Sequence, residues 1–311
     1  MKSIKNFSSF AMPLILFFLL FVTACSDKEE METNEPGNSI VDIAASNPDF
    51  STLVAALTRT NLASALEGDG PFTVFAPTNA AFTNLLNTIG ASGLDDIDNN
   101  TLSSILLYHV VPGAALSTSL STGYINTLST ASPGENNLSL YVSTMGGVMI
   151  NGNVNVISAD ILADNGIIHV VDNVITIPNL VDAALANNNF SNLVAAVVEA
   201  GLVDALNADG PFTVFAPTNQ AFEALLINLG VSNVSEIPIE TLTSVLLYHV
   251  VQGNVRASEL SNGDISTLNG STININVSAG VNINGNTQVI EANVQTSNGV
   301  IHAINNVLLP Q

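Results

Sequence analysis

The chain has 311 residues and a net charge of −21, from 26 acidic side chains against 5 basic ones. Such a surface repels phosphate backbones, which excludes nucleic acid as a partner and argues against electrostatic docking on anionic lipid. Hydrophobic residues make up 47% of the chain and charged residues only 10%. The polar surface must therefore be built from Asn, Ser, Thr and Gly, a profile that suits an extracellular β-rich module better than a cytosolic enzyme.

The first elements in chain order are those of an export signal. Lys2 and Lys5 form a short basic start, and Phe10 to Val22 is apolar, with Leu14 to Phe21 uninterrupted. A membrane-spanning helix needs ~20 apolar residues, so this run has the length of a signal-peptide core instead. It ends in Val22-Thr23-Ala24-Cys25, which resembles a bacterial lipobox. Cys25 is the only cysteine, so no intrachain disulfide exists and the residue is the expected lipidation site. Residues 1–24 are thus read as a lipoprotein signal peptide and residues 25–38 as an acidic tether. Ser26-Asp27-Lys28-Glu29-Glu30 resembles the surface-export signal of certain bacterial lipoproteins. After cleavage, Lys28, Arg59 and Arg256 are the only basic residues left.

Next comes a duplication. Asp69 to Asn79 is repeated letter for letter at Asp209 to Asn219, an offset of 140 residues, and Tyr108-His109-Val110-Val111 recurs as Tyr248-His249-Val250-Val251. A fixed-period repeat fixes the architecture as one domain written twice. Residues 39–177 and 178–311 are taken as the two copies, with Ile175 to Asn179 as a short spacer that holds them end to end. Near the C-terminal blocks the offset falls to 133, so the first copy carries seven extra residues, expected around Ser129 to Asn137.

Each copy opens with helical periodicity: Phe50, Leu53, Val54 and Leu57 in the first, Phe190, Leu193, Val194 and Val197 in the second. Phe72-Thr73-Val74-Phe75 is a strand stopped by Pro77. Thr78 or Asn79, and Thr218 or Asn219, are then placed to cap the following helix. A further helix delivers each Tyr-His pair. Asn151-Gly152 and Asn284-Gly285 signal hairpin turns. Each copy closes on an apolar strand containing His169 or His302. Helices first and antiparallel strands later predict an α+β fold, each copy a β-sandwich or wedge with helices packed on it.

These blocks resemble the signatures of the fasciclin domain: Thr73-Val74-Phe75-Ala76-Pro77-Thr78-Asn79 with Ala81-Phe82, the Tyr108-His109 pair, and Gly166 to Asp172, all in order in both copies. The resemblance implies tandem extracellular modules acting in adhesion and matrix contact, with no enzymatic activity. In animal relatives an Asp-Ile pair before the last block and the Tyr-His region are implicated in integrin binding. By that resemblance Asp160, Ile161, Tyr108, His109, Tyr248 and His249 are candidate adhesion contacts. The second copy has Asn293 and Val294 in place of the Asp-Ile pair.

The residues alone offer little catalysis. All four histidines sit at paired motif positions, and a zinc site usually needs three or four ligands at recognisable spacing. Satisfied core imidazoles are the better reading, with no metal and no cofactor. No Gly-x-Ser-x-Gly elbow is present, and Asp95 to Asn100 lacks the order of a calcium loop. Phe72, Phe75, Phe82 and their counterparts are read as core rather than as a sugar-stacking platform. The expected function is therefore adhesion to a surface protein, matrix component or biofilm polymer by a lipid-anchored protein of the bacterial outer membrane. The alternative is an anchored module that binds a polysaccharide or soluble ligand. Cys25→Ala should move the protein from the membrane fraction to the soluble fraction; unchanged fractionation would show that lipidation is not what holds it.

Overall fold

The computed structural model describes residues 38–310, so the signal segment, Cys25 and most of the tether lie outside the described residues. The first repeat contains α1 (Ile40–Ser46), α2 (Ser51–Arg59), α3 (Ala63–Leu66), β1 (Phe72–Pro77), α4 (Asn79–Ile89), α5 (Asn99–Tyr108), β2 (Val110–Pro112), β3 (Gly123–Asn126), β4 (Ser139–Ser143), β5 (Met149–Ile150), β6 (Val154–Ala163) and β7 (Gly166–Val171). The second repeats the order: α6 (Leu180–Ala186), α7 (Ser191–Glu199), α8 (Val203–Asn207), β8 (Phe212–Pro217), α9 (Asn219–Leu229), α10 (Ile239–Tyr248), β9 (Val250–Gln252), β10 (Gly263–Ser266), β11 (Thr272–Asn276), β12 (Asn282–Ile283), β13 (Thr287–Thr296) and β14 (Gly299–Ile304).

Each repeat forms a seven-stranded sheet with helices against it, an α+β architecture. The strand order in the first is β2-β1-β7-β6-β5-β4-β3, and the second has the same order. The later strands β3 to β7 pair antiparallel as expected, while β1 pairs with β7 in parallel from Phe72↔Gly166 to Pro77↔Val171. The reason is burial on both faces. Val74 and Ala76 face the helical core, while Phe75 faces a second core with Leu138, Leu140, Val142 and Ile150. A strand covered on both sides reads as a near-continuous apolar run, as Phe72 to Phe75 does apart from Thr73 and Gly166 to Val171 does apart from His169.

That second core exists because β6 bends. Two register shifts break its pairing with β7, between Val156 and Ser158 and between Ser158 and Ile161. Asp160 sits in the bulge with φ 63°. Such bulges sharpen strand twist, and here β6 carries the sheet from its β7 side to β5, β4 and β3. The wedge thus has one core under the helices and another within the folded sheet. Strand β13 repeats the device, with Asn293 at φ 65°.

One clamp closes each repeat. The side chain of Asn165 accepts from Ile40 N at 2.9 Å and donates to Leu66 O at 2.7 Å and Gly68 O at 3.0 Å, while its carbonyl accepts from Phe72 N at 3.0 Å. It therefore ties the start of α1, the end of α3 and the start of β1 to the β6–β7 turn. Asn298 makes the same set with Leu180, Leu206, Ala208 and Phe212. The next residue must be glycine, because a Cβ on Gly166 or Gly299 would overlap the carbonyl oxygen of Phe72 or Phe212.

The repeats also pack on each other. The loop before β4 spans residues 127–138, against 267–271 before β11, so the seven extra residues lie in this loop. Its tip docks on the second repeat: Asn254 Nδ2 donates to Pro133 O at 3.1 Å, and Arg256 Nη1 donates to Asn136 Oδ1 at 2.9 Å. Ser139 Oγ accepts from Gln295 N at 3.0 Å, and Asn187 Nδ2 donates to the Tyr124 hydroxyl at 3.2 Å. The spacer is not a free link either, since Ile175 is fully buried in the first repeat. Gly166→Ala should lower stability by about 3 kcal/mol or prevent folding, the cost of forcing a methyl into a filled core. Chemical denaturation against the wild type measures it.

Candidate functional site

The motif residues are best understood by what their polar atoms reach. Thr78 caps α4, its hydroxyl accepting from Ala81 N at 3.2 Å. Asn79 does something the local sequence does not indicate. Its Oδ1 accepts from Thr52 N at 2.8 Å, and its Nδ2 donates to Pro48 O at 2.9 Å and to Ser51 Oγ at 3.0 Å. It thereby satisfies the free donors at the start of a different helix, α2. Thr218 and Asn219 behave identically toward α9 and α7.

Tyr108, His109, Tyr248 and His249 all lie inside the protein. The Tyr108 hydroxyl donates to Ser139 O at 2.7 Å and accepts from Asn151 Nδ2 at 3.0 Å, joining α5 to the β5–β6 turn. Burial raises its pKa. Tyr248 forms the same link with Thr272 O and Asn284. His109 lies 2.7 Å from Ile105 O through Nδ1, and its Nε2 accepts from Ile175 N at 2.9 Å. A carbonyl on one nitrogen and an amide on the other require the neutral imidazole with the proton on Nδ1. His249 holds Val245 O and Leu308 N in the same way. Burial pushes both histidines down to about 4. The histidines fasten the end of each repeat to its last helix, the tyrosines fasten that helix to the sheet, and all four are buried.

His169 and His302 are fully buried beside Phe75 and Phe215. His169 Nδ1 accepts from Asp160 N at 3.2 Å, and Nε2 donates to Ala115 O at 2.9 Å. The opposite tautomer is therefore used to hold the bulge against the 113–119 loop. Asp160 completes the tie, its carboxylate accepting from Ser117 N at 2.7 Å and Ser117 Oγ at 2.6 Å. Those two bonds, the hydroxyl first, lower its pKa. Asn293 takes the same place opposite Ala257 N, 2.8 Å away.

The two bulges differ in exposure. In the second repeat Val294 and Gln295 are buried, and Ser139 of the first repeat packs there. In the first repeat Asp160 and Ile161 are half-buried, and Ile157 and Leu162 stand 58% and 69% exposed on the same strand. Of the candidate contacts, only this pair reaches the surface. Among the described residues no group of three or more His, Cys, Asp or Glu side chains is placed to hold a metal ion. Asp98 of the acidic run caps α5, accepting from Asn100 N and Thr101 N at 3.0 Å each. The Phe72 and Phe212 rings are half-buried, while Phe75, Phe82, Phe215 and Phe222 lie in the cores. Among the described residues no helix is long and apolar enough to cross a membrane.

With this geometry in view, comparison with known proteins is informative. The fasciclin domain family model matches residues 48–178 and 188–310. Human periostin is 33% identical over 252 residues, which is 79% of this chain and 29% of periostin. Pig transforming growth factor-beta-induced protein ig-h3 is 32% identical over 252 residues, covering 79% of this chain and 35% of that protein. The Synechocystis protein sll1483 is 46% identical over 132 residues, 42% of this chain and 73% of its own length. The chain thus spans about a third of the length of these animal relatives. A FAS1 domain pair from the insect cell adhesion molecule fasciclin I shares the fold, with a TM-score of 0.50 at 19% identity, covering 82% of this chain and 92% of that one.

The buried histidines make stability depend on pH. An unfolded imidazole titrates near 6.5, whereas His109 and His249 stay neutral in the fold down to about 4. The unfolded state therefore binds more protons between those values. Their contribution is complete above pH 6.5 and is lost as pH falls to 4, on the order of 3 kcal/mol per histidine. Denaturation midpoints across that window should fall steeply for the wild type and much less for His109→Gln/His249→Gln.

Proposed function

The chain belongs to the fasciclin domain family, and on that premise we propose that it is a non-enzymatic, extracellular adhesion protein, anchored by a lipid on Cys25 to the bacterial outer membrane. Its partner is a surface protein, a matrix component or a biofilm polymer. The observation that carries the reading is the open bulge of β6, where Asp160 and Ile161 lie between the exposed apolar side chains of Ile157 and Leu162. Large apolar side chains grouped on one strand mark an interaction surface better than isolated ones do. The fixed bulge geometry means that little conformational freedom is lost on contact.

The polar motif residues are consumed by internal hydrogen bonds, so recognition falls to faces where the copies differ. Many anchored copies on one cell would convert modest single contacts into firm attachment through effective concentration.

Cells displaying the chain should resist detachment from matrix-coated or cell-coated surfaces. Ile157→Ser/Leu162→Ser should reduce the attached fraction several-fold with an unchanged melting temperature. Attachment no better than that of cells displaying the anchor alone would end the adhesive reading.

A further inference from the structure

Between the two repeats lies a polar cleft of about 360 Å³. Its volume falls in the range of small-molecule sites, ~300–1,000 Å³, enough for one or two sugar rings. One wall is the extended loop of the first repeat with Tyr124 of β3; the other is the bulge of β13 with Arg256. The lining comes from positions at which the copies diverge. Arg256 stands where the first repeat has Leu116, Tyr124 where the second has Asp264, and Glu291 where the first has Ser158. Glu135 and Asn137 belong to the extended loop, which the second repeat lacks.

The polar groups there are incompletely used by the protein. Arg256 donates one N–H to Asn136 Oδ1, and among the described residues Arg256, Glu135 and Glu291 form no ion pairs. The Tyr124 hydroxyl accepts from Asn187, which leaves its own proton free to donate. Asn293 Oδ1 accepts from Ala257 N, and among the described residues its Nδ2 donates to none. The Tyr124 ring lines the cleft and is braced by Tyr141, with centroids 4.9 Å apart. The cleft wall strips water from the Glu291 carboxyl and raises its pKa.

Guanidinium, amide and phenol donors stand beside carboxylate and amide acceptors and an aromatic face. Vicinal hydroxyls of a sugar both donate and accept, so they match such a mixed set. Two carboxylates against one guanidinium disfavour an acidic sugar. We propose that this inter-repeat cleft binds a neutral glycan through one or two of its sugar units. The inference goes beyond the adhesive reading at β6, because either surface can work without the other.

The test titrates the purified full chain with cellobiose, mannobiose, lactose and chitobiose at millimolar concentration. A galacturonate disaccharide and a lysine-rich peptide serve as anionic and cationic probes, and binding is followed by isotope-edited NMR. At least one neutral disaccharide should bind, with affinity reduced roughly tenfold by Glu291→Gln and by Arg256→Lys, as expected when a charged hydrogen bond is lost. Tyr124→Phe keeps the ring packing and removes only the hydroxyl, so it supplies the same comparison if another variant does not fold. The proposal is overturned if no neutral probe binds, if only the acidic or basic probe binds, or if all folded variants bind like the wild type. The detachment assay separates the two readings. Adhesion without glycan binding overturns this proposal alone, and glycan binding without adhesion overturns only the adhesive one.

Discussion

The parallel pairing of β1 with β7, and of β8 with β14, is the constraint on which each repeat depends. A strand reached early in the chain is placed beside the last strand of the same repeat. The chain between them crosses the helical layer and then supplies every other strand of the same sheet, β2 beside β1 and β6 to β3 beyond β7. The helices α4 and α5 cover one face on the way out, and β3 to β6 fold back on the way in. Closure is made by Asn165 and Asn298, whose amides hold three chain segments at once, next to glycines that no larger residue can replace. Buried backbone groups left open at such a junction would each be costly, so one side chain that satisfies a donor and two carbonyls stabilises the topology more than its own bonds suggest.

The same logic explains why the identical motif strings are not the contact surface. Asn79 serves a helix 27 residues upstream, Tyr108 serves a hairpin, His109 serves the segment after β7, and His169 serves a loop beside the bulge. Each is a polar side chain that joins elements distant in sequence. Identity between copies follows from identical internal partners. The two histidine pairs need opposite tautomers, because one faces a helix carbonyl and a chain amide while the other faces a bulge amide and a loop carbonyl.

Function falls instead to the places where the symmetry is broken. The extended loop of the first repeat carries the contacts that bring β13 and Arg256 against it. With Ser139 of β4 packed at Gln295, Val294 and Gln295 are buried where their counterparts Ile161 and Leu162 are half-buried and exposed, so two equivalent strand segments face different environments. Duplication supplied two stable scaffolds; insertion and substitution at a few surface positions made them unequal.

The sequence alone determined the duplication, the family resemblance, the α+β class, the hairpin turns at Asn151-Gly152 and Asn284-Gly285, a helix cap within each Thr-Asn pair, and the place of the extra loop. These features depend on local rules: a repeated string, a positive φ, a hydroxyl three residues from an amide. It did not determine the parallel central strands, the second core within the folded sheet, the role of Asn79 toward α2, or the hydrogen-bond partners of the Tyr-His pairs. Each of those depends on which distant segment becomes a neighbour, and hydrogen-bond partners far away in the chain leave no local trace. The cleft between the repeats belongs to this second group as well. Its residues are scattered over more than 170 positions of the chain, from Tyr124 to Gln295, and only the packing of one repeat on the other brings them together.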